Sequence, residues 1–275
     1  MIFWIASYPK SGNTWLRAFL SAYLYGSGEK FDFGLLKKIS KFPHKKLFDG
    51  IIDTESLKKN KFEIVKYFIT AQQKLNLDNS TKLLKTHNAY VSYKNDWFSD
   101  EMNTKAYIYL VRDPRSIVLS LASYQNVSVE RAADLMLNEG SYGSDDKDGL
   151  MIDIRSSWRI NYLSWKKEKK FKGLIVKYED LKKNPFANFM KILNFLKEFM
   201  NLEINEEKIK QCIELCDFQR LKNLENKSGF DEAISSNVFF RKAELEEWKK
   251  SLDIKIKNKI ESNFKNEMKE LGYLD

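Results

Sequence analysis

The sequence is poor in the residues that build metal centres and disulfide frameworks. Its only cysteines, Cys212 and Cys216, lie four positions apart, and only His44 and His87 could add soft ligands. One cysteine pair with this spacing on a predicted helix favours reduced packing residues over a structural zinc site or a disulfide framework. The sequence therefore predicts no structural metal.

Long apolar segments are also missing. No stretch approaches the roughly 18 apolar residues that suggest a membrane span, and the apolar start lacks the basic region that opens a signal peptide. These absences predict a cytoplasmic protein.

The formal net charge is +9, and much of the surplus lies in lysine-rich runs at 166–172 and 255–259, which are most simply interpreted as a solvated face.

The composition is that of a folded chain. Hydrophobic residues make up 43% of the sequence and aromatic residues 14%, which excludes a disordered polypeptide. A chain of 275 residues is long enough to bury one sizeable core. We predict a single domain over residues 1–275.

The first 25 residues, MIFWIASYPKSGNTWLRAFLSAYLY, combine the patterns of a strand, a turn and a helix. The apolar run Ile2 to Ala6 predicts a strand that is buried on both faces. A turn follows, in which Gly12 can take a positive φ angle. Apolar residues then recur at steps of three and four, and Asn13 or Thr14 is suited to cap the resulting helix.

A loop between a strand and a helix directs backbone N–H groups, and the positive end of the helix dipole, to one place. Lys10 adds a full positive charge there, and Ser11, Asn13 and Thr14 add hydrogen-bond donors. These groups predict a phosphate or sulfate site. A Walker A loop is excluded, because it needs Lys after its second Gly, whereas Lys10 precedes Gly12.

Three further segments have the pattern of buried strands that end on polar residues: 81–87 (TKLLKTH), 105–111 (KAYIYLV) and 173–178 (GLIVKY). Strand ends are where α/β folds keep their chemistry. His87 ends the first of these segments, although a histidine there is more often packed or solvated than catalytic. Since helical patterns separate the strands, we predict an α/β fold with a parallel sheet and helices on both faces.

The segment Tyr-Pro-Lys-Ser-Gly-Asn-Thr-Trp at 8–15 resembles the phosphosulfate-binding loop of sulfotransferases that use 3′-phosphoadenosine 5′-phosphosulfate (PAPS). Lys-Thr-His at 85–87, VRDPRSIVLS at 111–120 and Tyr-Glu-Asp-Leu at 178–181 resemble later motifs of that family, in the family's order. The resemblance implies a P-loop NTPase-like sulfotransferase fold. It also implies sulfuryl transfer from PAPS as co-substrate, without a metal, with adenosine 3′,5′-bisphosphate (PAP) as product.

The resemblance assigns a role to individual residues. It makes His87 the general base, places Lys10 at the bridging oxygen of the leaving group, and places Lys85 beside the transferring group. The implied donor-binding residues are Ser11, Gly12, Asn13, Thr14 and Trp15 in the loop, Arg112, Ser120, Arg241 and Lys242 at the 3′-phosphate, and Tyr178 and Phe218 at the adenosine.

Residues 239–249 follow the family pattern Phe-x-Arg-Lys-Gly-x-x-Gly-x-Trp-Lys, with Ala243 and Glu246 in place of both glycines. Because Ala and Glu resist positive φ angles, this departure puts the backbone path of the family's loop in question. Arg241 and Lys242 keep their spacing. The expectation is that both still reach the 3′-phosphate.

Two other functions compete with this interpretation. A P-loop nucleotide or small-molecule kinase could use Asp113, at the end of an apolar strand, as a metal ligand. A polyanion-binding module could be driven by net charge alone.

In the sulfotransferase interpretation the partner is a small-molecule or glycan acceptor with a hydroxyl or amine, and no nucleic acid is expected. Residues 26–80 and 126–172 are expected to wall the acceptor pocket, with the acidic loop 140–149 as a rim.

Overall fold

The computed structural model describes residues 1–144, 148–233 and 238–275. Part of the expected acidic rim, residues 145–147, lies outside the described residues. The strands are β1 (Ile2–Ser7), β2 (Lys82–Thr86), β3 (Ser92–Tyr93), β4 (Asp96–Trp97), β5 (Thr104–Val111), β6 (Tyr142–Ser144), β7 (Ile152–Ile154) and β8 (Lys172–Lys177).

Helices connect and cover these strands. The α-helices are α1 (Asn13–Tyr25), α2 (Thr54–Lys59), α3 (Phe68–Asn76), α4 (Pro114–Gln125), α5 (Val129–Leu137), α6 (Trp158–Lys166), α7 (Tyr178–Lys183), α8 (Pro185–Lys197), α9 (Glu206–Leu215), α10 (Phe218–Ser228), α11 (Glu247–Ser251), α12 (Ile254–Asn263) and α13 (Lys265–Glu270). Shorter 3₁₀ turns cover Phe33–Lys38, Lys45–Phe48 and Lys61–Tyr67. No helix within the described ranges is long and apolar enough to cross a membrane.

The main sheet has the order β2-β1-β5-β8, and every neighbouring pair is parallel. These are the four strands that the sequence patterns predicted, so the expected parallel sheet is confirmed. In the register Ile5 lies beside both Lys85 and Ile108. The four strands therefore finish at one edge, where the segments that follow them can meet.

Helices cover both faces of this sheet, as predicted. Alternate residues of β1 belong to opposite cores, with Trp4 in one and Ile5 in the other. The Trp4 core includes Ile117 of α4 and Trp158 of α6, whereas the other includes residues of α1, α8 and α9. Burying each large apolar side chain contributes about 1.5–3 kcal/mol, so both cores hold the strand ends in place.

The start of α4 and the two cysteines follow from their residue types. Pro114 begins α4, and the Asp113 side chain caps that helix by accepting from the backbone N–H of Arg115 at 2.9 Å. Cys212 and Cys216 are free and buried, as expected for packing residues. Burial raises the pKa of the Cys212 thiol to about 11, so this thiol is unreactive at neutral pH.

Candidate active site

A cavity opens at the edge where the parallel strands finish. It is lined by residues that end or follow all four strands of the main sheet. Of the residues predicted for the site, those lining it are Lys10, Gly12, Asn13, Thr14, Trp15, Lys85, His87, Arg112, Ser120, Tyr178, Phe218 and Lys242. Ser11 and Arg241 were also predicted, but neither belongs to the lining.

The loop after β1 turns tightly to reach α1. Lys10 has a φ angle of 66° and Gly12 one of 96°, so the positive φ expected at Gly12 is present. A Cβ atom at Gly12 would lie 2.4 Å from Cδ2 of Tyr178, and only glycine fits this approach. Gly12 also precedes the first residue of α1 as its N-cap, without a side-chain hydrogen bond. The expectation that Asn13 or Thr14 caps this helix is therefore wrong.

Asn13 is occupied in holding the loop together. Its side-chain Nδ2 donates to the Ile5 carbonyl and to Ser7 Oγ, each at 3.1 Å, and so ties the start of α1 to β1. Ser11 Oγ is buried and has no hydrogen-bond partner among the described residues. Lys10, Thr14 and Trp15 also line the cavity from this segment.

Lys10 is held between two aromatic rings. Its Nζ lies 4.1 Å from the ring centre of Tyr124 and 3.8 Å from that of Phe239. Burial, followed by the nearby charges of Lys85 and Arg112, lowers the pKa of Lys10 to about 7. An anion bound in this cavity would favour the protonated form, so Lys10 is suited to bind one.

His87 follows β2 and is buried beside β1. Its Nδ1 lies 2.8 Å from the Ser7 carbonyl oxygen, which can only accept a hydrogen bond, so Nδ1 carries the proton. Nε2 of the neutral ring is then an acceptor. Burial, together with Lys85 and Arg155, lowers the pKa of His87 well below its ordinary value, and the imidazole is neutral at pH 7.

Lys85 is paired with an acidic residue that the sequence motifs did not indicate. Its Nζ lies 2.9 Å from Oε2 of Glu232, and Oε1 of that carboxylate lies 2.6 Å from Nη1 of Arg17. Thr14 Oγ1 donates to the same Oε2 at 3.4 Å. Glu232 is 215 positions from Arg17 in the chain and belongs to no recognisable motif, so no sequence signal could have placed it here.

The other end of the cavity combines a cation with aromatic rings. Nη1 of Arg112 donates to the Lys10 carbonyl at 3.1 Å, and the guanidinium lies 4.5 Å from the ring centre of Tyr178. The rings of Trp15 and Tyr178 meet edge to face at 6.0 Å, and Phe218 also lines this end. A flat ring and an anionic group could be bound here together.

Arg241 and Lys242 share a carboxylate in the structure. Nη1 and Nη2 of Arg241 lie 2.7 and 2.6 Å from the two oxygens of Glu247, and Lys242 Nζ lies 3.1 Å from one of them. Glu246, which replaces a family glycine, has a φ angle of −117°, and Ala243 is not among the described residues with positive φ. The segment thus takes a path that needs no glycine, and it brings Lys242 but not Arg241 to the cavity lining.

Asp113, the metal ligand required by the kinase alternative, is engaged by a cation. Its carboxylate oxygens accept hydrogen bonds from Nε and Nη2 of Arg115 at 3.0 and 2.7 Å. Asp113 does not belong to the cavity lining. This pairing removes the specific feature that favoured the kinase.

Further residues in the lining were not predicted. Arg155 follows β7, is 8% exposed, and lowers the pKa of His87. Its guanidinium lies over Gly143, where a Cβ atom would come within 2.0 Å of Cζ. The remaining additions are Pro9, Tyr124, Lys182, Leu221, Glu232, Phe239, Phe240 and Ala243. Phe239 and Phe240 lie in the motif at 239–249. The family resemblance assigns binding roles only to the cations of that motif, Arg241 and Lys242, and not to its aromatic rings.

Comparison with known proteins agrees with this geometry. The family model described as "Sulfotransferase domain" matches residues 2–272. Flavonol 3-sulfotransferase of Flaveria bidentis is 27% identical over 257 residues, covering 89% of this chain and 74% of the relative. Amine sulfotransferase of Oryctolagus cuniculus is 22% identical over 281 residues, covering 97% of this chain and 80% of the relative.

Solved structures show the same fold. A mouse sulfotransferase complexed with PAP matches with a TM-score of 0.59 and 19% identity, covering 98% of this chain and 84% of that one. A retinol dehydratase in complex with androsterone and the inactive cofactor PAP matches with a TM-score of 0.61 and 18% identity, covering 98% and 80%. The chain belongs to the sulfotransferase family and is an enzyme, a sulfotransferase.

Proposed function

We propose that this protein transfers the sulfuryl group of PAPS to a hydroxyl or amine of a small-molecule or glycan acceptor, with His87 as general base. His87 Nε2 takes the acceptor proton while the acceptor oxygen or nitrogen forms its bond to sulfur. The bond between sulfur and the bridging oxygen breaks, and PAP leaves. Lys10 and Lys85 stabilise the charge that develops on the leaving and transferring oxygens.

The observation that carries this proposal is the hydrogen bond between His87 Nδ1 and the Ser7 carbonyl. It holds the ring in the tautomer whose Nε2 accepts a proton. His87 lines the same cavity as Lys10 and Lys85, so the base and both cations face one space. General-base catalysis requires a neutral imidazole, and the lowered pKa of His87 supplies it at neutral pH.

The cavity suits the donor proposed for it. Lys10, Lys85 and Arg112 offer positive charge to a nucleotide with two anionic ends, while Trp15, Tyr178 and Phe218 offer flat apolar surface to its base. We propose that Ser11, Gly12, Asn13 and Thr14 hold the 5′ end through the loop backbone, and that Arg112, Ser120, Arg241 and Lys242 bind the 3′-phosphate. Two neighbours in the fold were crystallised with PAP.

The acceptor is proposed only as a chemical class. The relatives are named for flavonols and for amines, which supports an acceptor hydroxyl or amine. Independence from metals, a cytoplasmic location and the single-domain organisation of residues 1–275 stay predictions. Relatives named cytosolic sulfotransferases support the prediction of a cytoplasmic location.

A screen of acceptor pools with PAPS labelled on sulfur would identify a substrate. With that acceptor, His87→Ala should lower kcat roughly 100-fold or more, because the general base is lost. PAP affinity, measured by calorimetry, should stay within about twofold, since the base acts on the acceptor. His44→Ala is the matched control, because His44 is exposed and lies outside the cavity lining. A near-normal kcat for His87→Ala would show that another group removes the proton.

A further inference from the structure

The cavity lining contains an acidic side chain, Glu232, among its cations. The Glu232 carboxylate contacts Lys85, Thr14 and Arg17, and its side chain is 27% exposed. Its negative charge also acts on Lys10, whose pKa it raises against the effect of burial. Lys10, Thr14 and Lys85 are the residues assigned to the 5′ end of the donor. Glu232 thus lies where the anionic end of the donor is expected.

Two anions cannot share these partners at low cost. The phosphosulfate of PAPS is anionic, and a carboxylate held against it in a buried cavity would repel it strongly. We propose that the Glu232 carboxylate occupies the position of the donor's 5′ anionic group when no donor is bound, and that donor binding displaces it. This inference rests on the proposed function, since the competing anion is the 5′ end of PAPS.

The ionisation of Glu232 supports a competition between charges. Burial acts to raise the pKa of its carboxyl, but Lys85 and Arg17 oppose this and hold the pKa well below its usual range. The group is therefore an anion at neutral pH, and it matches the charge of the ligand it would mimic.

Arg17, Lys85 and Thr14 would still have hydrogen-bond partners after the Glu232 carboxylate moved away. Nη2 of Arg17 also donates to the carbonyls of Leu36 and Ile39, at 3.2 and 2.9 Å, so its guanidinium keeps hydrogen bonds when the carboxylate moves. Lys85 and Thr14 would exchange the carboxylate for the donor. The internal anion weakens binding of both PAPS and PAP, and its return to this position favours release of the product.

Calorimetry can test this on the full chain with two ligands, PAP and adenosine 3′-monophosphate, at one low salt concentration. Glu232→Gln removes the competing charge and should tighten PAP binding roughly tenfold to a hundredfold, since charge-assisted hydrogen bonds contribute about 1.5–3 kcal/mol each. Glu232→Ala should change affinity in the same direction. Adenosine 3′-monophosphate has no 5′ anion, so its affinity should change by less than about twofold by the same reasoning.

Asp231→Asn is the matched control. It changes the net charge equally at the adjacent position, but Asp231 is 87% exposed and pairs only loosely with Lys37, at 3.6 Å. It should leave both affinities nearly unchanged. Thermal unfolding of each variant checks that the fold is kept.

Three results would overturn the inference. Unchanged or weaker PAP binding by both Glu232 variants would make the carboxylate a permanent partner that orients Lys85. Equal tightening for both ligands would show a general charge effect and not competition at the 5′ end. Failure of the wild type and all variants to bind PAP would instead contradict the proposed donor, and the inference with it.

Discussion

Lys10 is a residue whose chemistry depends on what the cavity holds. In the protein without donor its pKa is lowered to about 7 by burial, Lys85 and Arg112, so much of it is uncharged at slightly alkaline pH. An anionic ligand beside Nζ raises that pKa again, because the charged form is then paired. Donor binding above pH 7 must therefore be accompanied by proton uptake at Lys10.

This linkage predicts a pH dependence. PAP affinity should fall as pH rises above about 7, by up to tenfold per pH unit, until the pKa of Lys10 in the complex is reached. Calorimetry at about pH 8.5 in two buffers of different ionisation enthalpy should show uptake of about one proton. Lys10→Arg is the control, because arginine stays charged and should remove the uptake. Equal proton uptake in both proteins would assign the linkage to another group.

Residues in motifs were predictable one by one, and their partners were not. The resemblance to family motifs indicated Lys10, Lys85 and His87, and all three line the cavity. Glu232 and Arg155 belong to no motif and enter the cavity only through tertiary contacts. Asn13 was indicated by the motif, but the structure gives its side chain a different role. Its residue type suits a helix cap or a hydrogen-bond donor to a ligand, whereas its amide donates hydrogen bonds to Ile5 and Ser7.

The turn between β1 and α1 is the element on which the site is built. Gly12 combines a φ angle of 96° with contact to the Tyr178 ring, and these two constraints can be separated by mutation. Gly50 has a φ angle of 76°, and no atom of the described residues lies within 4 Å of the position of its Cβ atom. Gly50 therefore has the same positive φ angle constraint as Gly12 but not the close contact with an aromatic ring.

Gly12→Ala should destabilise the protein more than Gly50→Ala. Each should lose about 1–2 kcal/mol of unfolding free energy from left-handed strain, and Gly12→Ala roughly 1–3 kcal/mol more, because its methyl group overlaps Tyr178. Chemical denaturation measures both changes. Only Gly12→Ala should also weaken PAP binding, since Tyr178 lines the cavity and Gly50 does not. Equal losses in the two variants would mean that the Tyr178 ring moves aside freely.

Elements with a strong hydrophobic pattern were predictable to within one or two residues. The run KAYIYLV forms all of β5 except its first residue, and Ile2 to Ala6 became β1 with one more residue. The strands β3, β4, β6 and β7 were missed, because two or three residues cannot display an alternating pattern. Their pairing is set by contacts with the rest of the chain. Arg155 is at the end of one of them, which is why this part of the cavity was not foreseen.

At the scale of the whole molecule, parallel topology brings distant segments to one cavity. Arg112 follows β5 and Lys242 lies 130 positions later, yet both line the space beside Ser120. Sequence order alone could not show this convergence. It follows from strands that run in the same direction and finish at the same edge. The 3′-phosphate proposal depends on this convergence.

Arg112→Ala should weaken PAP binding about tenfold to a hundredfold, because a charge-assisted hydrogen bond to the 3′-phosphate contributes roughly 1.5–3 kcal/mol. Lys242→Ala should act in the same direction. Arg241→Ala should cost less than Arg112→Ala, since the Arg241 guanidinium must first leave Glu247. Arg220→Ala removes an exposed cation outside the cavity and controls for net charge.

Adenosine 5′-phosphosulfate decides whether these losses arise at the 3′-phosphate, because it lacks that group and keeps the 5′ end. Its affinity, measured by calorimetry on the same variants, should remain within about twofold of the wild type. Equal losses for both ligands in Arg112→Ala would make Arg112 a structural residue that supports the Lys10 carbonyl and the Tyr178 ring. Losses confined to PAP require Arg112 and Lys242, which lie 130 positions apart in the chain, to bind the same phosphate.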